Sequence, residues 1–242
     1  MEFLWQNSRG SAKPPQCLKA DSQSKSTRGR LLAMPPFVMA GNNHGEGMSS
    51  LCEQSRKKTV MRSSQKALSD QRLTDHIRPG GRILFVGINP GLRSAATGHH
   101  FAGHSNRFWK LLFESKLTAE PLTHRDDWRV PDWGLGLTNI IQRASAGIDV
   151  LKPRDYAVGK KRLLVTVEQY RPRIVALLGV TIFRALFPEC GTGRINLGLQ
   201  AQTLAGRPLF VLPNPSGRNA HYSYRTMLDA FRSLCDLAGK PD

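Results

Sequence analysis

The chain has 242 residues, a formal net charge of +17 and a sequence pI near 10.4. So large a basic excess points to a polyanion as partner, with a basic solvated surface as the plainer alternative. No apolar run reaches the roughly 18 residues needed to span a bilayer, and the scattered Cys17, Cys52, Cys190 and Cys235 form no C-x-x-C pair. They suggest neither a disulfide framework nor a zinc or iron–sulfur site, and fit reduced cytosolic or nuclear thiols.

The basic charge is spread along the chain: residues 1–76 carry 12 Lys and Arg against 6 Asp and Glu, and residues 77–242 carry 23 against 12. Residues 1–64 show little periodicity and hold Pro14-Pro15, Pro35-Pro36 and Gly41-Asn42-Asn43. They are expected to be a basic, disordered N-terminal extension, with the folded domain spanning 65–242. Arg56-Lys57-Lys58 reads as a solvated charge run, or as a non-specific contact to DNA phosphates. Leu31 to Ala40 is interrupted by Pro35-Pro36 and preceded by some thirty polar residues, so no signal peptide is expected. Translation starting at Met48 or Met61 is a further possibility that the residues leave open.

From Ser64 to Ile77, Ala67, Leu68, Leu73 and Ile77 fit an amphipathic helix that ends at Pro79-Gly80-Gly81. Ile83 to Val86 reads as a buried strand. A glycine- and histidine-containing loop over Arg93 to Ser105 follows, then a helix over Asn106 to Phe113 with Ser105 as N-cap. Leu135 to Ile141 reads as a second strand, Tyr156 to Tyr170 as a helix, and Ile174 to Leu178 as a third strand. A short helix over Thr181 to Phe187, a fourth strand over Pro208 to Leu212 and a helix over Tyr224 to Ala238 complete the series. Strands alternating with helices predict an α/β fold, a three-layer α/β/α sandwich with a mainly parallel central sheet.

Two strands end in similar punctuation, Gly87-Ile88-Asn89-Pro90-Gly91 and Pro213-Asn214-Pro215-Ser216-Gly217. Glycine and proline stop strand pairing there and force tight turns. In a parallel sheet both turns lie on the carboxyl rim, where open α/β sheets place their ligand sites. Neither is a phosphate loop, since no Gly-Lys-Ser/Thr follows the first, and Gly134-Leu135-Gly136 lacks the third glycine of a dinucleotide fingerprint. His99, His100 and His104 invite a metal reading, but no carboxylate or cysteine ligand set accompanies them, and a solvated or DNA-facing loop is the reading preferred.

These residues carry a resemblance. From about Gly81 to Ala238 the chain resembles the mismatch-specific uracil-DNA and thymine-DNA glycosylases of the uracil-DNA glycosylase superfamily. The likeness runs through Gly87-Ile88-Asn89-Pro90-Gly91-Leu92, Thr97-Gly98-His99-His100-Phe101 and Asn106-Arg107-Phe108-Trp109-Lys110. It continues through Gly136-Leu137-Thr138-Asn139 to Asn214-Pro215-Ser216-Gly217. The single-strand-active uracil glycosylases carry an Asp in the first loop and a His in the second, where this chain has Asn89 and Asn214.

The resemblance implies a monofunctional glycosylase in which Asn89 holds the water that attacks C1′ of the deoxyribose. An amide orients water but cannot take its proton, so the reaction leans on a good leaving group and an oxocarbenium-like state. It further implies that backbone amides at Ile88 and near Phe101 bind the base carbonyls, that Phe101 stacks on the extruded base, and that Thr138 helps place the water. A buried core Phe and an ordinary strand Thr are the plainer readings of those last two. The loop Asn214, Pro215, Ser216, Gly217 and Arg218 would supply the wedge that fills the stack. Close bacterial relatives have an apolar residue where this chain has Arg218, which could plug the stack or pair with the opposite guanine or a phosphate.

Ser94, three residues after the Asn-Pro-Gly turn, would face C5 of the base, where thymine-active members carry alanine. The expected substrate is uracil mispaired with guanine in double-stranded DNA, with ethenocytosine and, weakly, thymine as further bases. No cofactor and no metal are expected, nor any membrane partner. The protein is expected to be monomeric, in the cytoplasm (bacterial nucleoid) or nucleus. A non-catalytic module that binds damaged DNA and a hydrolase of free nucleosides are the competing readings.

Overall fold

The computed structural model describes Gln54, residues 71–191 and residues 193–240. The expected extension over 1–64 and the first part of the expected 64–77 helix lie outside these, apart from Gln54. Five strands form one sheet in the order β2-β1-β3-β5-β4: β1 Ile83–Gly87, β2 Leu135–Asn139, β3 Ile174–Leu178, β4 Gly198–Leu204 and β5 Arg207–Leu212. β1 lies between β2 and β3, with Ile83 opposite both Leu135 and Ile174, and β3 pairs with β5; all three pairings are parallel. Among the described residues five α-helices accompany the sheet: α1 Leu92–Thr97, α2 Phe108–Glu114, α3 Pro153–Tyr170, α4 Val180–Leu186 and α5 Tyr224–Ala238.

The strand period of two divides the apolar residues between two cores. Ile83, Phe85, Leu137, Ala176 and Phe210 face one way and pack with Phe108, Leu111 and Leu112 of α2 and Met227, Phe231 and Leu234 of α5. Leu84, Val86, Val175, Leu177 and Val211 face the other way and pack with Leu163 and Val167 of α3 and Ile182, Phe183 and Leu186 of α4. The three-layer α/β/α expectation is met. β1 and β3 are buried along their whole length and paired on both sides within the sheet, so the chain can leave it only at the strand ends; β2, equally buried, is the edge beyond β1.

Several elements differ from the sequence reading. Residues 71–77 are not helical: Leu73 is buried, and His76 forms an antiparallel bridge to Leu137, with N–H···O contacts of 3.1 and 2.8 Å. The tertiary pairing outcompetes a weak helical period. β4 was not anticipated, because Gly198-Leu199-Gln200-Ala201-Gln202 is polar; it survives as an antiparallel edge beside β5. The loop after β1 begins with the short helix α1, and a 3-10 segment runs from His124 to Trp133. Ser105 does not cap α2. The N-cap is Arg107, and the Asn106 Oδ1 accepts from the Phe108 N–H at 3.0 Å. α3 starts earlier than read, at Pro153, whose fixed φ suits a first helical position.

Candidate active site

The turn after β1 is ruled by the segment that leaves β2. Ile140 N–H donates to Gly87 O and Ile141 N–H to Ile88 O, both at 2.9 Å, and Ser145 N–H donates to Pro90 O at 3.1 Å. The two chains therefore run on side by side beyond the sheet, and Gly91 bridges Ser145. This brings Ser145 to the Asn89 side chain. Asn89 Nδ2 donates to Ser145 Oγ at 2.8 Å, to Pro90 O at 3.0 Å and, more weakly, to Arg143 O at 3.4 Å. Carbonyl oxygens only accept, so the amide must turn its nitrogen to them. Ser145 in turn donates to Gly147 O at 2.6 Å and keeps a lone pair for Asn89.

The consequence is an amide anchored through its nitrogen, with Oδ1 left, among the described residues, as an uncommitted acceptor. Arg143 is itself fixed: its guanidinium pairs with Asp155 at 2.6 Å, and that hydrogen bond holds the Asp155 carboxyl below the usual carboxylate range. Asp155 also accepts from the Lys152 N–H at 2.8 Å, so the start of α3 secures the carbonyl that steadies Asn89. Gly159 permits this approach, since a Cβ there would lie 2.3 Å from Ile140 O.

Phe101 meets the same turn from the other side. A Cβ on Gly87 would lie 2.5 Å from Asn139 Oδ1 and 3.4 Å from the Phe101 ring, so ring, buried amide and turn converge at the end of β1. The Phe101 ring packs on Phe108 with centroids 4.1 Å apart, tilted by 34°. Its backbone sits at φ 53, in the left-handed region. Ser94, on α1, is buried, and its Oγ accepts from the Ala102 N–H at 3.1 Å, tying α1 to the Phe101 loop.

Behind the ring lies His100. Its Nε2 faces Thr74 O at 3.0 Å and must carry the proton, which leaves Nδ1 as an acceptor 3.5 Å from Asn139 Nδ2. Burial lowers the His100 pKa, so the imidazole is neutral at physiological pH. The other two histidines of the sequence cluster also find protein partners: His99 donates from Nδ1 to Asp127 Oδ1 at 3.0 Å, and His104 contacts Arg93. Among the described residues no group of three or more His, Cys, Asp or Glu is arranged to hold a metal.

The second loop closes on the first. Arg107 N–H donates to Pro215 O at 3.0 Å, and a Cβ on Gly217 would lie 2.3 Å from Ser105 Cβ, a close approach only glycine allows. Asn214 Oδ1 accepts from Ser216 N–H at 3.0 Å, and Asn219 Nδ2 donates to Asn214 O at 2.8 Å. Exposed Arg218 reaches the segment beside Asn89 and donates from Nη1 to Ala146 O at 2.8 Å.

Of the residues singled out in the sequence, Ile88, Asn89, Ser94 and Phe101 thus gather at the end of β1, and Asn214, Pro215, Ser216, Gly217 and Arg218 form a loop that touches both neighbours. Thr138 is placed differently: it is fully buried, its hydroxyl donates to Asp75 Oδ1 at 2.8 Å and accepts from Arg162 Nη2 at 3.2 Å. Lys110 lines the groove beside Phe101, but its ammonium lies 3.5 Å from Glu114 and over the Tyr224 ring. Sequence reading missed Ser145, Asn139 and His100 as parts of the site. Ser145-Ala146-Gly147 carried only a turn signal, and nothing local announces its bond to a residue 56 positions away.

The arrangement can order a water on an amide oxygen, beside an aromatic ring and buried polar groups suited to a flat heterocycle. None of the hydrogen-bond partners of Asn89 is a carboxylate. The family model described as Uracil DNA glycosylase superfamily matches residues 74–235, from the strand-like segment before β1 to the last turns of α5. That match spans about two thirds of the chain and contains both rim turns, the Phe101 loop and the segment after β2 that holds Asn89, so the chain belongs to the uracil DNA glycosylase superfamily, whose members are DNA glycosylases.

Proposed function

We propose that this protein is a monofunctional DNA glycosylase that hydrolyses the N-glycosidic bond of uracil mispaired with guanine in double-stranded DNA. The observation that carries the reading is the Asn89 amide, anchored by Nδ2 to Ser145 Oγ and two carbonyls while Oδ1 stays free to accept from a water. Oriented in this way, the water attacks C1′ as the bond to N1 of uracil breaks. The amide takes no proton, so the water passes its proton to solvent only after the C1′–N1 bond has broken, and the departing uracil anion and an oxocarbenium-like sugar carry the barrier. Ser145 steadies the amide. Phe101 stacks on the extruded base, with Asn139 and the Ile88 segment at its polar edge, an oxyanion-hole kind of assistance.

In the same reading, Ser216, Gly217 and Arg218 fill the gap that the extruded nucleotide leaves, offsetting the few kcal/mol that flipping costs. The Ser94 hydroxyl, held by Ala102 N–H, occupies the space that the thymine methyl would need, which favours uracil over thymine. The basic extension over residues 1–64 adds sequence-independent affinity for phosphates. Double-stranded DNA with a G·U pair is the partner, and the protein acts as a monomer.

A single-turnover assay on a duplex with one labelled G·U pair tests this. Free uracil should be released, leaving an alkali-labile abasic strand, and borohydride should trap no covalent adduct because no lysine attacks. A trapped adduct, or retained base with tight binding, would instead favour a lyase or a binding module.

A further inference from the structure

Phe101 is held at φ 53, a left-handed backbone conformation that an aromatic side chain enters only under constraint. Its loop has three tethers. Ser94 Oγ accepts from Ala102 N–H, Trp109 Nε1 donates to His100 O at 3.3 Å, and Asp127 takes the His100 N–H, on the N-terminal side of both. Asp127 Oδ2 accepts from His100 N–H at 2.8 Å and Oδ1 accepts from His99 Nδ1 at 3.0 Å, while His76 Nε2 lies 3.5 Å from Oδ2.

This carboxylate is an anomaly for its own segment. Its side chain is 2% exposed, and a buried carboxylate is unfavourable unless fully hydrogen-bonded. Yet it does not cap the 3-10 segment His124–Trp133 that carries it: Asp126 does that, accepting from Thr123 N–H and Oγ1. Among the described residues it pairs with no lysine or arginine. Each oxygen takes a hydrogen bond from the loop that leads to Phe101, some 27 residues away in sequence, and Oδ2 also faces His76 of the segment before β1.

We infer that Asp127 is a positioning residue for base excision: through the His100 peptide and the His99 ring it fixes Phe101 in its left-handed conformation, against Phe108 and beside Gly87 and Asn139. The inference rests on the reading of Phe101 as the stacking ring. Without the carboxylate, Phe101 relaxes toward ordinary φ, and the ring leaves the place where the extruded base must stack. Affinity for undamaged duplex, which comes from phosphates, does not depend on that ring.

The test is a double-mutant cycle on the full chain with Asp127→Asn and Phe101→Ala, read by single-turnover uracil release from a G·U duplex. It is paired with amide exchange at His100. Asn keeps the shape of Asp but replaces one acceptor oxygen by a donor, so it cannot accept from both the His100 amide and the His99 ring. Asp127→Asn should slow release roughly 10–100-fold, the scale of a misplaced positioning group, and leave affinity for undamaged duplex unchanged. Exchange at the His100 amide should speed up at least about tenfold, as expected when a buried hydrogen bond is loosened. In the Phe101→Ala background the second substitution should add almost nothing, since both act through one ring.

Additive losses in the cycle would make Asp127 a general structural residue and overturn the inference, as would a full wild-type rate in Asp127→Asn. If Asp127→Asn does not fold, His99→Ala, which removes one tether at a half-exposed ring, replaces it. The same non-additivity with Phe101→Ala is then required. A wild-type chain that released no base would defeat the glycosylase reading itself, whereas an active wild type with additive losses defeats this inference alone.

Discussion

The two loops at the carboxyl rim look alike in sequence, and each places an Asn next to Pro with Gly close behind; their side chains do opposite things. Asn89 reaches beyond its own turn: besides Pro90 O, its Nδ2 binds Ser145 Oγ and Arg143 O of a neighbouring segment, and among the described residues its oxygen has no partner. Asn214 turns inward, and its Oδ1 accepts from Ser216 N–H two residues on, an Asx-type turn that shapes the loop itself. An exposed oxygen can order a reactant. An oxygen spent on the backbone can only hold a conformation. What separates the two is the partner: β2 continues beside the first turn as far as Ser145, while the second is held by Arg107, Ser105 and the long reach of Arg218 to Ala146.

The contrast is sharpest if both asparagines are truncated. Asn89→Ala removes a preorganised polar group at the reacting centre and should slow single-turnover base release roughly 10²–10³-fold, with duplex affinity and melting temperature little changed. Asn214→Ala should act the other way round, lowering stability by about 1 kcal/mol through the lost turn hydrogen bond and weakening the hold on mismatched duplex. Equal effects of the two on rate would erase the distinction. Next in size is the Ser145 hydroxyl. Ser145→Ala removes one of the Asn89 tethers, worth about 1 kcal/mol or about fivefold in rate, and measurement of the rate in the Asn89→Ala background should show no further loss.

Ser94→Ala probes the first loop from the base side. It should narrow the gap between G·U and G·T by improving G·T, within the roughly 10–200-fold that one methyl can command. It should also lower the melting temperature, because the Ala102 N–H loses its acceptor. A change in stability with an unchanged rate ratio would reduce Ser94 to a loop tether.

The smallest effect concerns pH and the groups behind Phe101. Burial pushes the His100 pKa down, so the unfolded chain binds a proton that the folded chain refuses, and stability falls as pH drops below about 6.5. Burial alone would raise the Asp127 carboxyl, but hydrogen bonds from His76, the His100 amide and His99 outweigh it and hold the pKa at about 2. Its contribution is therefore present above about pH 4 and lost as pH falls toward 2. Denaturation midpoints measured across that range should show both limbs, and Asp127→Asn should reduce the lower one, leaving the part that Asp126 and Asp155 contribute.

Much of this was legible in the sequence. Ile83 to Val86, Ile174 to Leu178 and Tyr224 to Ala238 read correctly because burial on both faces, or one broad helical stripe, leaves a local apolar pattern. β4 was not, since an edge strand of Gln, Ala and Thr has little to bury. Residues 71–77 misled because Leu73 and Ile77 satisfy a helical period while Asp75 and His76 serve tertiary bonds to Thr138 and Leu137. Asn89 stood out by its loop pattern, whereas Phe101 stood out only through the family resemblance. Ser145 and Asp127 were not, because their partners lie 56 and 27 residues away and no local rule encodes them.

The central claim is that the Asn89 turn hydrolyses uracil from a mispair in duplex DNA. Its most direct test is the wild-type single-turnover rate on matched duplexes that differ in one pair, G·U against A·U, with the same uracil strand left single. Release fastest from G·U, slower from A·U, whose uracil is better paired and harder to extrude, and slowest from the single strand is the result predicted. Equal rates on all three, or no uracil released from G·U, would contradict it.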